Sequence, residues 1–120
     1  MKVGEFIGLL FLSRDYAHVT HLNTRNYAEH VALGSFYTDI IPLADGFAEA
    51  YQGCHGLIGA IPLQNAKKSA KAAEMLQDHL DEIQKGRYEF CPKEETALQN
   101  LIDGICEKYL STIYKLRFLS

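Results

Sequence analysis

The sequence predicts an all-α protein built as a bundle of four helices. Apolar residues recur at three- and four-residue spacing in four separate segments. No segment sustains alternation at period two, so no sheet is expected. The joints between segments are short and marked by polar residues, glycine or proline. Four amphipathic helices so joined bury their apolar faces against one another.

The first helix is expected from Val3 to about Leu22. Phe6, Leu10, Ala17 and His21 fall on one stripe, with Ile7, Phe11 and His18 beside it, so both histidines project toward the buried side. Asn23-Thr24-Arg25-Asn26 ends that helix and caps the next. The second helix is expected from Tyr27 to Tyr51, stopping at Gly53, with His30, Gly34, Tyr37, Ile41 and Ala48 at helical spacing. Pro42 lies inside it. Because the pattern resumes at once, this proline predicts a kink and not an end. Residues 54–64, CHGLIGAIPLQ, have no helical period and read as an extended apolar connection. The third helix is expected to start near Asn65 and end at Gly86, with Ala70, Ala73, Leu76, Leu80 and Ile83 inward. The fourth is expected to open at Pro92 with Glu94 and Glu95 in its first turn. Leu98, Leu101, Ile102, Ile105, Tyr109, Ile113 and Leu116 form its stripe, and Lys115 and Arg117 suit its C-terminal end.

A chain of 120 residues fits one domain, here 1–120. Its 48% hydrophobic and 22% charged residues are ordinary for a globular protein. No apolar run is long enough to span a membrane, and FIGLLFL lacks a cleavage signature, so it reads as a buried helix face. The net charge of −3 and the absence of a basic tail predict weak or absent nucleic-acid binding. Lys67, Lys68 and Lys71 read as a solvated helix face. Three cysteines, none in a CxxC pair, suggest reduced thiols in a cytoplasmic setting and argue against a disulfide scaffold or zinc knuckle.

The stretch AHVTHLNTRNYAEH, residues 17–30, holds three of the five histidines. His18 and His30 can lie side by side across a helical hairpin. Asp45 and Glu49, four residues apart, share one face of the second helix. Imidazole with carboxylate suits iron, manganese or zinc. His30 and Asp45 are separated by roughly 22 Å along one helix, at 1.5 Å per residue. One chain therefore cannot bring all four to one ion. A dimer with antiparallel second helices could, giving two equivalent sites. The competing reading is histidines that pack at an interface and carboxylates on a solvated face.

That spacing, with the ending TALQNLIDGICEKYLSTIYKLRFLS, resembles the Dps-type miniferritins, the DNA-protecting proteins of starved cells. The resemblance implies a ferritin-like bundle with a crossover between helices two and three. It further implies an Fe(II)-oxidising site, with one or two irons or another divalent metal, shared between two subunits of a homodimer or larger homo-oligomer. The metal ligands it implies are His18, His30, Asp45 and Glu49, with His21 as the alternative or additional histidine. Residues 14–37, RDYAHVTHLNTRNYAEHVALGSFY, also resemble small uncharacterised proteins of tailed phages. The alternative function is a non-catalytic dimeric bundle, phage-encoded, that binds a small ligand or a protein partner.

Other residues carry weaker signals. Asp15 could accept a hydrogen bond from His18 or pair with Arg14. Cys54 and His55 read as a loop pair whose adjacency does not make a catalytic dyad. His79 reads as a polar-face residue of the third helix. Tyr16, Tyr27 and Tyr37 lie close in sequence to the histidines, with packing as their default role.

Overall fold

The computed structural model describes residues 1–66 and 71–120. Four helices follow in order: α1 (Val3–Asn23), α2 (Tyr27–His55), α3 (Ala72–Phe90) and α4 (Thr96–Phe118). The backbone of α1 packs on α2 and α3, and that of α4 packs on α2 and α3; among the described residues neither diagonal pair approaches.

Side chains fix the direction of each helix. His21 meets His30 across the α1–α2 turn, and Phe6 meets Phe47 at the other end of that hairpin. Ser13 bonds His79, and the Met1 side chain lies on Gly86, so α1 and α3 are antiparallel. Lys108 pairs with Asp39 at 2.9 Å, and His55 with Glu95, so α2 and α4 are antiparallel. Consequently α2 and α3 run the same way on a diagonal, and the chain must return along the bundle between them. This is the crossover arrangement; the simpler up-down-up-down order is excluded.

The crossover explains why α1 is apolar on nearly every side. Phe6, Ile7, Leu9 and Leu10 are buried, and so are Gly4 and Gly8. A helix that is apolar all round must be covered all round. The cover on its outer side is the extended stretch after Gly56. A Cβ added to Gly4 would collide with the Ala60 carbonyl oxygen, and one added to Gly8 with that of Pro62. The Gln64 side-chain amide also donates to the Glu5 carbonyl at 3.0 Å. The two glycines, one turn apart, form a notch that seats the returning backbone.

Several helix ends differ from the sequence expectation. The second helix passes Gly53 and ends at His55, because the turn comes at Gly56, whose φ of 88° suits glycine alone. Asn65 is still in the extended stretch, and the third helix opens at Ala72. Gly86 does not stop it: this glycine is buried beneath Met1, and the helix runs on to Phe90. The fourth helix opens at Thr96. Pro92 to Glu95 form a turn closed by the Glu95 amide on the Pro92 carbonyl at 3.1 Å. Pro42 lies inside α2 and does not end it. Ala70, Lys67 and Lys68 lie outside the described residues.

The core face of α2 is Ala32, Leu33, Phe36, Ile40, Ala44 and Phe47. The expected stripe of His30, Gly34, Tyr37, Ile41 and Ala48 is half-buried instead. His79 is buried and does not sit on the polar face of α3. Tyr109 reaches across the bundle diagonal and donates to Ser13 Oγ at 2.7 Å, and Ser13 Oγ meets His79 Nδ1 at 2.6 Å. Burial raises the Tyr109 phenol well above its usual range, so it stays neutral. The buried Arg87 guanidinium ties α3 to α4 through Gln99 and Asp103. Every buried side-chain polar atom among the described residues has a partner, as a well-specified core requires.

The notch yields a test. Alanine is favoured over glycine within a helix by about 1 kcal/mol. In the bundle, however, a Cβ at Gly8 must push the crossover off α1. Gly8→Ala is expected to destabilise by about 1–3 kcal/mol, read from urea unfolding. A neutral or stabilised variant would remove the notch from the account.

Candidate functional site

The histidine end is built by the α1–α2 turn. His21 lies in the last turn of α1, where backbone carbonyls lack an intrahelical partner. His30 Nδ1 bonds the His21 carbonyl at 2.7 Å, and His21 Nδ1 bonds the His30 carbonyl at 2.6 Å. A carbonyl only accepts, so each ring donates from Nδ1 and, when neutral, leaves its Nε2 lone pair open. The rings stack with centroids 3.7 Å apart and planes 16° from parallel. Gly34 makes room: a Cβ there would stand 3.0 Å from His21 Cε1. The Asn26 side chain caps α2 on the Glu29 amide at 3.0 Å.

His18 stacks on Tyr37, with centroids 4.1 Å apart and planes 12° from parallel. Its ring lies 6.3 Å from that of His21. Arg14 covers the Tyr37 ring at 5.3 Å and pairs with Asp15 at 3.1 Å. Of the two readings of Asp15, the structure has the pair with Arg14. His18, His21 and His30 are all half-buried.

Asp45 and Glu49 are exposed on one face of α2. They lie far down the helix from His30 and do not join the histidines within the chain. Among the described residues, the only group of three or more metal-ligating side chains with converging donor atoms contains none of these five residues.

That convergent group lies at the opposite end, where α2 stops and α4 begins. His55 Nε2 donates to Glu95 Oε1 at 2.8 Å. The Cys54 thiol donates to Glu95 Oε2 at 3.5 Å. The buried Cys91 thiol approaches Glu95 Oε1 at 3.8 Å. The Tyr51 ring tilts against His55 at 4.6 Å. The hydrogen bond from His55, helped by those from the cysteines, holds the Glu95 carboxyl below its usual range. Desolvation, with the Glu95 charge and hydrogen bond, pushes the Cys54 and Cys91 thiols up. Both cysteines are therefore protonated near neutral pH, and His55 is engaged with Glu95. A thiolate–imidazolium dyad is not what this arrangement builds.

This cluster was not legible as a site in the sequence. Its members are a neighbouring pair and a residue forty positions later. The only available signal was that both Cys54 and Glu95 abut punctuated joints. The late start of α4 places Glu95 at the cap position, where its side chain is free to turn to His55.

Fold and geometry define a small crossover bundle with a histidine cluster at one end and a Cys-His-Glu cluster at the other. Residues 21–116 match a family described as a family of unknown function, DUF5856, and the chain belongs to that family. It is also similar to an uncharacterized 14.6 kDa protein in the mobD-ri intergenic region of Enterobacteria phage T4. The two are 28% identical over 115 residues, covering 96% of this chain and 88% of the phage protein. No solved structure matches. The expected likeness to small phage proteins thus has a counterpart. Neither match names a miniferritin, so any iron chemistry rests on the residues alone. No helix among the described residues is long and apolar enough to cross a membrane.

The paired histidine bonds generate a prediction that needs no metal. His30→Ala removes the donor that satisfies the α1 terminal carbonyl and the ring that stacks on His21. In chelator-treated protein it is expected to cost about 1–2 kcal/mol in a thermal or urea melt. Unchanged stability would mean that the stacked pair is not a structural clasp.

Proposed function

We propose that the protein works as a homodimer paired along α2, and that the cleft between copies holds Fe(II). The ligands would be the histidines of one copy and the carboxylates of the other. One observation carries the reading. Tyr27, Val31, Thr38, Pro42, Asp45 and Glu49 are all exposed and recur at spacings that put them on one face of α2. Antiparallel pairing of that face about Thr38 sets Val31 opposite Asp45 and Tyr27 opposite Glu49. The carboxylates of each copy then lie at the histidine end of the other. Arg25 and Arg117 are exposed, and α4 also ends there with Lys115, which gives the acidic half of the stripe a basic counterpart. The open Nε2 positions of His21 and His30 favour the same reading, since a ligating histidine has its other nitrogen held by a hydrogen bond. His18 and His30 remain the first ligand pair, with His21 beside them. Iron held there and exposed to peroxide or oxygen would make the protein an iron-sequestering oxidoreductase. The protein supplies placement and open coordination.

A second reading has its own observation. Tyr27, Ala28, Val31, Ala32, Lys115 and Leu119 line a groove of about 460 Å³ between the start of α2 and the end of α4. Tyr27 and Leu119 are 81% and 56% exposed, and exposed apolar surface of this kind marks interaction sites. A non-catalytic bundle would use the groove for a small apolar ligand or a partner side chain.

Complementation separates the readings. In a Cys54→Ser background, His18→Ala/His30→Ala chains and Asp45→Ala/Glu49→Ala chains are each expected to lose Fe(II) binding in anaerobic equilibrium dialysis. A heterodimer of the two regains one intact site and one site with no ligands. Half of the sites in that species are expected to recover. A wild-type chain that binds no Fe(II), or heterodimers without recovery, would overturn the shared site and leave the groove reading.

A further inference from the structure

We propose that Cys54, His55 and Glu95 form a site for one divalent transition-metal ion, best suited to Zn(II), at the junction of α2 and α4. The inference is independent of the α2-face reading, which uses no sulfur ligand.

The three side chains offer one sulfur, one nitrogen and one carboxylate oxygen, all within 4.8 Å of one another. A tetrahedral zinc with Zn–S of about 2.3 Å and Zn–N or Zn–O of about 2.0 Å holds its ligand atoms roughly 3.3–3.6 Å apart. The thiol sulfur already stands 3.5 Å from one Glu95 oxygen, and His55 Nε2 stands 2.8 Å from the other. To reach the spacing of a tetrahedral ligand set, the farthest donor pair needs to close by no more than about 1.5 Å, which side-chain rotation supplies.

The donor chemistry selects the ion. A thiolate with an imidazole disfavours Mg(II) and Ca(II) and suits Zn(II) or Co(II). Three protein ligands leave a fourth position for water. The His55 and Glu95 side chains are 34% and 24% exposed, so an ion has a path in. The location helps as well, because α2 ends at His55 and the C-terminal end of a helix attracts cations.

Binding replaces protons by the metal. The Cys54 S–H bond breaks, its proton leaves to solvent, and the sulfur lone pair forms the bond to the ion. His55 ligates as the neutral Nδ1–H tautomer: the Nε2 proton leaves, Nδ1 carries the one proton of the ring, and the Nε2 lone pair binds the ion with no change in oxidation state. Cys91 is a positioning residue: its thiol approaches Glu95 Oε1 at 3.8 Å from the buried side and steadies the carboxylate. The metal would fasten the end of α2 to the start of α4, just where the crossover departs.

Cobalt is the probe, because a thiolate ligand gives Co(II) a charge-transfer band in the near ultraviolet that nitrogen and oxygen ligands do not. Titration of the reduced, metal-free wild-type chain is expected to give one Co(II) per chain with this band, bleached by equimolar Zn(II). Cys54→Ser is expected to abolish the band. His55→Gln and Glu95→Gln are expected to weaken binding by about tenfold or more. Cys91→Ser is expected to keep the band. Far-UV circular dichroism confirms that each variant is folded. Alkylation of Cys54 in the wild-type chain gives a second readout, with Zn(II) expected to protect the thiol. Absence of the band, a band that survives Cys54→Ser, or alkylation indifferent to zinc would each overturn the proposal.

Discussion

The backbone around Ala60 and Pro62 lies directly on the surface of α1, and it can do so because Gly4 and Gly8 present no side chain there. That contact governs the rest of the bundle. A connection seated along α1 carries the chain from the end of α2 back to the opposite end, where α3 begins. With the crossover in place, α2 and α3 are diagonal and parallel, and every neighbouring pair is antiparallel. Without it, α3 would start where α2 stops, and α4 would begin at the histidine end. Glu95 would then be a helix length away from Cys54 and His55. The α2–α4 junction is therefore a consequence of topology as much as of residue choice.

The two ends of the bundle use polar side chains differently. At the α1–α2 turn, two imidazoles exchange hydrogen bonds with each other's backbone carbonyls and stack, which closes the hairpin and completes a helix terminus. At the α2–α4 junction, three side chains share one carboxylate, and their donor atoms converge. Convergence is the difference that matters for chemistry. The histidine end makes a joint within the chain and would need carboxylates from a second copy to complete a site. The cysteine end gathers a three-donor set within one chain. Between the ends, the buried His79–Ser13–Tyr109 chain and the Arg87 network link α1, α3 and α4, so both ends rest on a frame whose polar groups are satisfied.

The helices were legible in the sequence because their apolar periodicity is strong. The stripes of α3 and α4 put Leu76, Leu80, Ile83, Ile102, Ile105 and Tyr109 in the core, as the structure has them. Glycine was the weak sign. Gly53 and Gly86 looked like stops, yet one lies within a helix and the other is a packing position under Met1. Gly4 and Gly8 carried no warning, since a notch is recognised only when something fills it. On α2, half-buried residues facing α1 follow the same helical period as the core face beside them, so periodicity alone selected the wrong stripe. His79 looked polar because its partners, Ser13 and through it Tyr109, come from distant segments. The clustering of His18, His21 and His30 was visible, but the carbonyls that hold two of them were not, because a backbone partner leaves no mark in a sequence.

The chain carries a natural probe of its topology. Cys54 is the one exposed cysteine, at the end of α2. A spin label there is paired with a second at Lys85→Cys or at Glu74→Cys, both exposed positions on α3. These two positions are about 16 Å apart along that helix, so the order of the two interlabel distances is the readout. The crossover bundle places Lys85 at the same end as Cys54, and the 54–85 distance is expected to be clearly the shorter, set by a cross-section of 24 × 22 Å. A 54–74 distance shorter than the 54–85 distance would mean that α3 starts where α2 ends. That result would contradict the crossover, the glycine notch and the proposed metal site together.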